Sequence, residues 1–398
     1  MKRADTVDLY RFSAGYVLFF TAISAFGGYA VPFLVSRHIP SAQVGMLMAM
    51  MTVAGVVGQS VTGYLCDRYN TIRRFFYPML ILQGMFFGLL THGVGMAALI
   101  FGLIGVGIFQ YSLMALMESW VLEGSPHVKE RYGVVRGWGS LGWAAGAILT
   151  GLAVDRMGWG IAPVIFITFA VLFIVVTWKM PDCNKTGTNV HNDPVSWSSI
   201  QTLLRNKRYQ HLTATFILIF IAQNIIYSYS MVLIGTFGGT SFHMGLFMFV
   251  VCLFEFPAFF IMNRFIGRFG AASVLGASAA FYGLRGILVF LCVSIWQVIA
   301  LGFMQTITYA AFMAASKYLV DEFCPPQLKT SSQMVAMAAY TGGAGVIAYL
   351  VAGSLADVIG IKGLMLVGGA AGFGAFGLSL GYVKTYYRKQ SCATSEVD

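Results

Sequence analysis

Residues 97–122, AALIFGLIGVGIFQYSLMALMESWVL, hold one charged side chain, Glu118, and no proline. A helix built from them is apolar on every side, so it has no face to turn to water. At about 1.5 Å per residue it outreaches the roughly 30 Å hydrocarbon core of a bilayer, and it reads as a membrane-crossing helix. It does not alternate over about ten residues, as a β-barrel strand would.

Eleven further runs of the same kind lie on either side of it. They cover residues 10–35, 44–65, 75–90, 134–154, 162–179, 212–237, 245–262, 272–293, 297–316, 332–355 and 363–382. Of the 398 residues 58% are hydrophobic and only 10% charged, against about 25% charged in a soluble domain. The expected fold is an all-α membrane protein of twelve transmembrane helices in two pseudo-symmetric six-helix bundles. Residues 1–180 form the first bundle, 181–208 a polar cytoplasmic linker, and 209–398 the second bundle with a short tail. The first run follows Met1-Lys2-Arg3 but is too long for the apolar core of a signal peptide. Twelve crossings leave no room for a soluble catalytic or signalling domain. No Ser/His/Asp or metal-ligand constellation is visible, so neither enzymatic chemistry nor a cofactor or metal is expected. The six cysteines form no CxxC pair.

The net charge of +10 raises nucleic acid as a partner, but the basic residues fall between the apolar runs instead of forming a patch. Arg37, Arg156 and Lys362 lie on one side and Arg136 and Arg285 fall inside runs, while the other twenty Lys and Arg lie on the side of both termini. That asymmetry predicts a multi-pass protein of the cell (inner or plasma) membrane with cytoplasmic termini. On the cytoplasmic side the Asn184-Lys185-Thr186 sequon stays unglycosylated.

Charges inside hydrocarbon are costly unless paired or wetted, so they mark candidate sites. Glu118, Arg136, Glu255 and Arg285 are such charges, two in each half. A carboxylate and a guanidinium can grip a polyhydroxylated or anionic solute, and a carboxylate in low dielectric can carry a proton. The alternative is that they form two structural ion pairs. Gln110, Tyr111, Trp138, Ser140 and Trp143 surround the first pair in sequence. Gln223, Asn224, Tyr227, Tyr229, Gln305, Thr306, Thr308 and Tyr309 are polar or aromatic positions in the second half. Such side chains suit a sugar ring, a nucleobase or an aromatic acid.

Two motifs repeat between the halves. Gly63-Tyr-Leu-Cys-Asp67-Arg68 has a weak echo in Asn263-Arg264-Phe-Ile-Gly267-Arg268, and Gly151-Leu-Ala-Val-Asp155 is echoed by Gly353-Ser-Leu-Ala-Asp357. The first resembles the loop signature of the major facilitator superfamily, with Asn70 in place of its second glycine. In that family the residues matching Gly63, Asp67 and Arg68 permit close helix approach and form a cytoplasmic latch. Glu118, Arg136 and Trp143, with Tyr132-Gly-Val-Val-Arg136-Gly-Trp-Gly-Ser-Leu-Gly142 between them, resemble the oligosaccharide/proton symporters of the lactose permease type. The arginine segment is also similar to that of nucleoside/proton symporters and phenylpropionate-type permeases. The resemblance implies that Glu118 and Arg136 grip the substrate and that Trp143 stacks on it. The second half departs: Met304 and Ile307 align with the proton-carrying His and Glu. Either Glu255 with Arg285 then carries the proton, or Glu118 does, or transport is uncoupled. The expected activity is proton-coupled uptake, by alternating access, of a small polar solute such as a sugar or glycoside. The alternatives are nucleoside or aromatic-acid symport, and drug or metabolite efflux by proton antiport. The expected partners are substrate, protons and lipid, with no nucleic acid, and the expected state is a monomer.

Overall fold

The computed structural model describes residues 3–124, 128, 131–180, 182, 205–323 and 329–394. The apolar runs become helices because in a membrane only internal hydrogen bonds can satisfy the backbone. The first crossing is α1 (Arg3–Gly27) continued by α2 (Ala30–Ser36). The next five are α3 (Ser41–Tyr69), α4 (Arg73–His92), α5 (Gly95–Gly124), α6 (Tyr132–Met157) and α7 (Ala162–Thr177). After residues 183–204, which lie outside the described residues together with most of the expected linker, come α8 (Lys207–Thr236), α9 (Ser241–Phe269) and α10 (Ala271–Leu291).

The tenth crossing is broken. It runs as α11 (Ile295–Ala300), a 3-10 stretch over Leu301–Thr306, and α12 (Tyr309–Phe323). Then follow α13 (Lys329–Met337), a π-helical turn over Ala338–Gly343, and α14 (Ala344–Thr394). Among the described residues eleven stretches are long and apolar enough to span, the last being the 47 residues Val335–Gly381. That length, about 70 Å of helix, is more than twice a bilayer's core. Gly360, at φ 73° and ψ 166°, breaks it in two, which restores the expected twelve crossings.

Helix ends are closed by side chains far away in sequence. The Asp182 carboxylate accepts from the backbone N–H groups of Ile72 and Arg73, both at 3.1 Å, and from the Thr71 hydroxyl at 2.5 Å. It thereby fixes the start of α4 from the far end of the first bundle, placing a negative charge where the helix dipole favours one.

By its internal contacts the chain divides into two compact units, Met1–Val190 with Ile234–Leu253, and His191–Leu233 with Phe254–Asp398. The expected contiguous halves therefore meet an exception at residues 234–253, and the local chemistry explains it. A Cβ on Gly151 would lie 2.4 Å from the Ser241 carbonyl oxygen, and one on Gly245 would lie 2.6 Å from that of Ala147. Two absent side chains thus let α6 and the start of α9 touch backbone to backbone. The Tyr29 hydroxyl binds across the contact, 2.7 Å from the Ala147 carbonyl and 3.3 Å from that of Ser241. The Asp155 carboxylate accepts from the N–H groups of Ser241 (2.8 Å) and Phe242 (3.0 Å).

Within the first unit α6 lies along α1, where Gly142 and Gly146 meet the α1 backbone and the Thr21 hydroxyl donates to the Gly142 carbonyl at 3.0 Å. Within the second, α10 and α14 approach so closely that a Cβ on Gly286 would lie 2.5 Å from the Gly369 Cα. These contacts hold rigid the two helices that carry Arg136 and Arg285.

Candidate functional site

In the first unit the structure brings Glu118, Arg136, Trp143 and Gln110 together. Arg136, Ser140 and Trp143 are spaced along one face of α6 at successive turns. Arg136 Nε stands 3.6 Å from Glu118 Oε1, and the two side chains keep 32% and 47% of their surface exposed. Side chains that exposed leave the pair open to a further partner instead of sealed between helices. The Arg136 guanidinium also lies over the Phe20 ring at 5.0 Å, and Trp143 sits 6.3 Å from the same ring. Gly27 supplies the room for this cluster: a Cβ there would lie 2.7 Å from the tip of the Trp143 indole and 3.0 Å from Gln110 Nε2. Gln110 is buried and its amide oxygen accepts from Gln83 Nε2 at 3.4 Å, while Ser140 is buried beside Gly139.

Two members of this cluster escape sequence reading. Tyr16 stacks on Phe20 at 5.4 Å, and its buried hydroxyl, within electrostatic reach of Glu118 and Arg136, has no hydrogen-bond partner. Both are aromatics on an apolar helix, indistinguishable in sequence from core residues. The first unit thus offers a charged pair, an aromatic wall and an unused hydroxyl, a combination that can hydrogen-bond several hydroxyls and stack on one ring face.

The second unit is arranged differently. Arg285 on α10 is buried, with 1% of its surface exposed. Its Nη1 donates to Gln305 Oε1, while Nε and Nη2 have no hydrogen-bond partner. Each unsatisfied buried donor costs about 1–3 kcal/mol. Tyr282 and Tyr227 stand within electrostatic reach of the guanidinium, and the Tyr282 hydroxyl donates to Gln223 Oε1 at 2.7 Å. The expected Glu255–Arg285 ion pair is not formed. Glu255 is half-buried on α9, and Arg285 turns to the Gln305 amide that the 3-10 stretch presents. Glu255 precedes Pro257, which interrupts the hydrogen-bond ladder of α9, and the Thr306 hydroxyl donates to the neighbouring Phe254 carbonyl at 2.9 Å.

Other expected positions serve other ends. Asn224 donates to the Phe220 carbonyl of its own helix at 2.8 Å, Tyr111 packs on Gly55 of α3, and Trp138 is exposed. Tyr227 is half-buried. Gly63 admits no close neighbour: nothing lies within 4 Å of a Cβ built there. Arg68 lies over the Tyr69 ring at 5.9 Å, and Asp67 accepts through its carbonyl from Asn70, which closes α3 at φ 47°. Among the described residues no three His, Cys, Asp or Glu gather as a metal site.

Comparison with known proteins agrees with this architecture. The model of the MFS_1 like family matches residues 9–367. The chain is 22% identical over 366 residues to the uncharacterized transporter YwbF of Bacillus subtilis (strain 168), covering 89% of this chain and 88% of that one. It is 25% identical over 273 residues to the maltose permease of Geobacillus stearothermophilus, covering 65% of each. Among solved structures, the nucleoside transporter NupG superposes with a TM-score of 0.78 at 13% identity, covering 96% of this chain and 99% of that one. A POT family transporter in complex with 5-aminolevulinic acid superposes with a TM-score of 0.72, also at 13% identity, covering 96% and 95%. At that identity the likeness is one of fold.

Proposed function

This chain belongs to the MFS_1 like family and is a multi-pass membrane transporter, not an enzyme, and from that premise we propose that it takes up a small polar solute, a sugar or glycoside, by proton-coupled symport. The observation that carries the reading is the half-exposed Glu118–Arg136 pair beside Trp143 and Gln110. A carboxylate accepts hydrogen bonds from sugar hydroxyls, a guanidinium donates to their oxygens, and an indole face covers the apolar side of the ring. The relative named as a maltose permease adds support for the sugar class. A nucleoside is the second reading, because the unused Tyr16 hydroxyl and the tilted Phe20–Trp143 pair also suit a base carrying a ribose.

Transport proceeds by alternating access, with both termini in the cytoplasm and the protein acting as a monomer. For coupling, Glu118 or Glu255 carries the proton; both are acidic groups in membrane-crossing helices, Glu118 beside Arg136 and Glu255 within electrostatic reach of Tyr282. The test is uptake of labelled sugars and nucleosides into proteoliposomes with and without an inward-directed proton gradient. Accumulation that needs the gradient and disappears in Glu118→Gln and Arg136→Lys supports the reading, since lysine cannot reproduce the guanidinium fork. Uptake by those variants at the parental rate would move the site elsewhere. Gradient-independent equilibration would remove the coupling and keep the transport. Parental accumulation and pH dependence in Glu255→Gln would leave Glu118 as the carrier.

A further inference from the structure

Arg285 is a cation placed deep in the second unit with half of its fork unused. Of the groups around it, Gln305 Oε1 takes Nη1. The other candidate acceptor, Gln223 Oε1, receives the Tyr282 hydroxyl at 2.7 Å. What remains free is Nε together with Nη2. These two atoms form one edge of the guanidinium, with two parallel N–H groups at the spacing of the two oxygens of a carboxylate. Had the unused atoms been scattered over the fork, a stray water would suffice to account for them. A matched pair of donors on a buried cation selects for a planar, bidentate anion.

The neighbouring groups fit the same ligand. Tyr282 and Tyr227 stand within electrostatic reach of the guanidinium, and Tyr227 is half-buried on α8 one turn from the half-buried Gln223, so groups that can stack or donate lie in the same part of the unit. The acceptor comes from the irregular 3-10 stretch of the tenth crossing, and α10 is fixed by backbone contact with α14 at Gly286 and Gly369. The arginine is therefore held still while its free edge waits. We infer that Arg285 binds the carboxylate of the transported solute through Nε and Nη2, so that the solute is an organic acid: a hydroxylated or aromatic ring bearing a carboxylate. This deepens the proposed transport of a small polar solute and rests on it.

The full-length protein, purified in detergent, tests the inference by thermal stabilisation at constant ionic strength. The probes are glucuronate and 3-phenylpropionate, with glucose and 3-phenylpropanol as their uncharged counterparts. One acid at least should stabilise the parent at concentrations on the order of tenfold below those its neutral counterpart needs, the ratio expected for a charge-assisted bidentate contact. Arg285→Gln should erase that preference, and Arg285→Lys should keep part of it. Without ligand, Arg285→Gln should melt at or above the parental temperature, because it removes an unsatisfied buried charge; a purely structural arginine would give a lower melting temperature. Equal response to acid and neutral probe, an acid preference that survives Arg285→Gln, or no response to either acid each overturns the inference. Response to glucose that is lost in Glu118→Gln, with no acid preference, overturns the inference alone and leaves the transport reading standing.

Discussion

Arg136 and Arg285 both lie in crossings that would be apolar without them, and the two units treat them in opposite ways. In the first unit Arg136 meets a carboxylate, lies over an aromatic ring and keeps a third of its surface exposed. In the second unit Arg285 is sealed, bonds one neutral amide and leaves two donors unused. A paired carboxylate and guanidinium are together close to neutral, so the pair suits recognition of a neutral polar group. A dry, bare guanidinium is costly, and that cost is the ground for assigning it a carboxylate ligand. The first unit therefore offers an exposed charged pair beside aromatic rings, and the second a buried cation with two unused donors.

Glu118→Gln should have the largest effect, because it leaves Arg136 without its carboxylate partner and makes the first unit resemble the second. Binding of a neutral sugar should weaken by about 2 kcal/mol, on the order of thirtyfold, as expected for loss of a hydrogen bond to a charged group. Titration followed by tryptophan fluorescence measures it, and parental affinity would show that the pair does not touch the solute.

The next effect is on stability. Arg285→Gln should raise unfolding stability by about 1–2 kcal/mol, since it removes uncompensated buried donors. Arg136→Gln should change it by no more than about 0.5 kcal/mol, because the pair it breaks is half solvated. Denaturant unfolding of both variants in the same detergent reads the difference; equal effects would mean that the two arginines sit in like environments.

A smaller effect, on the aromatic wall, sharpens the account of the first unit. Gly27→Ala puts a methyl group 2.7 Å from the Trp143 indole and 3.0 Å from Gln110 Nε2. Trp143 must shift by a few tenths of an ångström or more, and solute affinity should fall by about 1 kcal/mol, roughly fivefold, without loss of folded protein. Unchanged affinity would take Trp143 out of the contact.

Much of this was legible in the sequence, and the reasons for the rest are physical. Twelve crossings could be counted because hydrocarbon admits few polar residues, and Glu118, Arg136 and Trp143 stood out because two are charged and the third keeps helical spacing from Arg136. Phe20 and Tyr16 were invisible, since their chemistry matches that of the core around them. The 3-10 stretch that delivers Gln305 carries no proline, and only Gly302 and the β-branched Thr306-Ile307-Thr308 hint at a weakened helix. The Glu255–Arg285 pairing was inferred from opposite charge on successive crossings. Which acceptor reaches a guanidinium depends on ångström-scale backbone placement, which spacing does not encode.

One unused signal yields the finest test. Asp155 and Asp357 occupy equivalent places in the repeated Gly151-Leu-Ala-Val-Asp155 and Gly353-Ser-Leu-Ala-Asp357. Asp155 lies in the last turn of α6, where a carboxylate opposes the negative end of its own helix dipole. An acid there makes sense if it serves another helix, and it does: it accepts from Ser241 and Phe242 at the start of α9, at 2.8 and 3.0 Å. Asp357 is exposed and accepts no hydrogen bond among the described residues. Asp155→Asn keeps one acceptor oxygen but loses the charge and the second acceptor, so it should cost about 0.5–1 kcal/mol. It should also speed amide exchange in the first turn of α9, because the N–H groups of Ser241 and Phe242 lose their fixed partner. Asp357→Asn should alter neither quantity. Hydrogen exchange with mass-spectrometric readout over peptides covering 234–253 decides it: faster exchange in the Asp155 variant alone would show that the repeated aspartates have parted in role, and equal behaviour would return them to a common one.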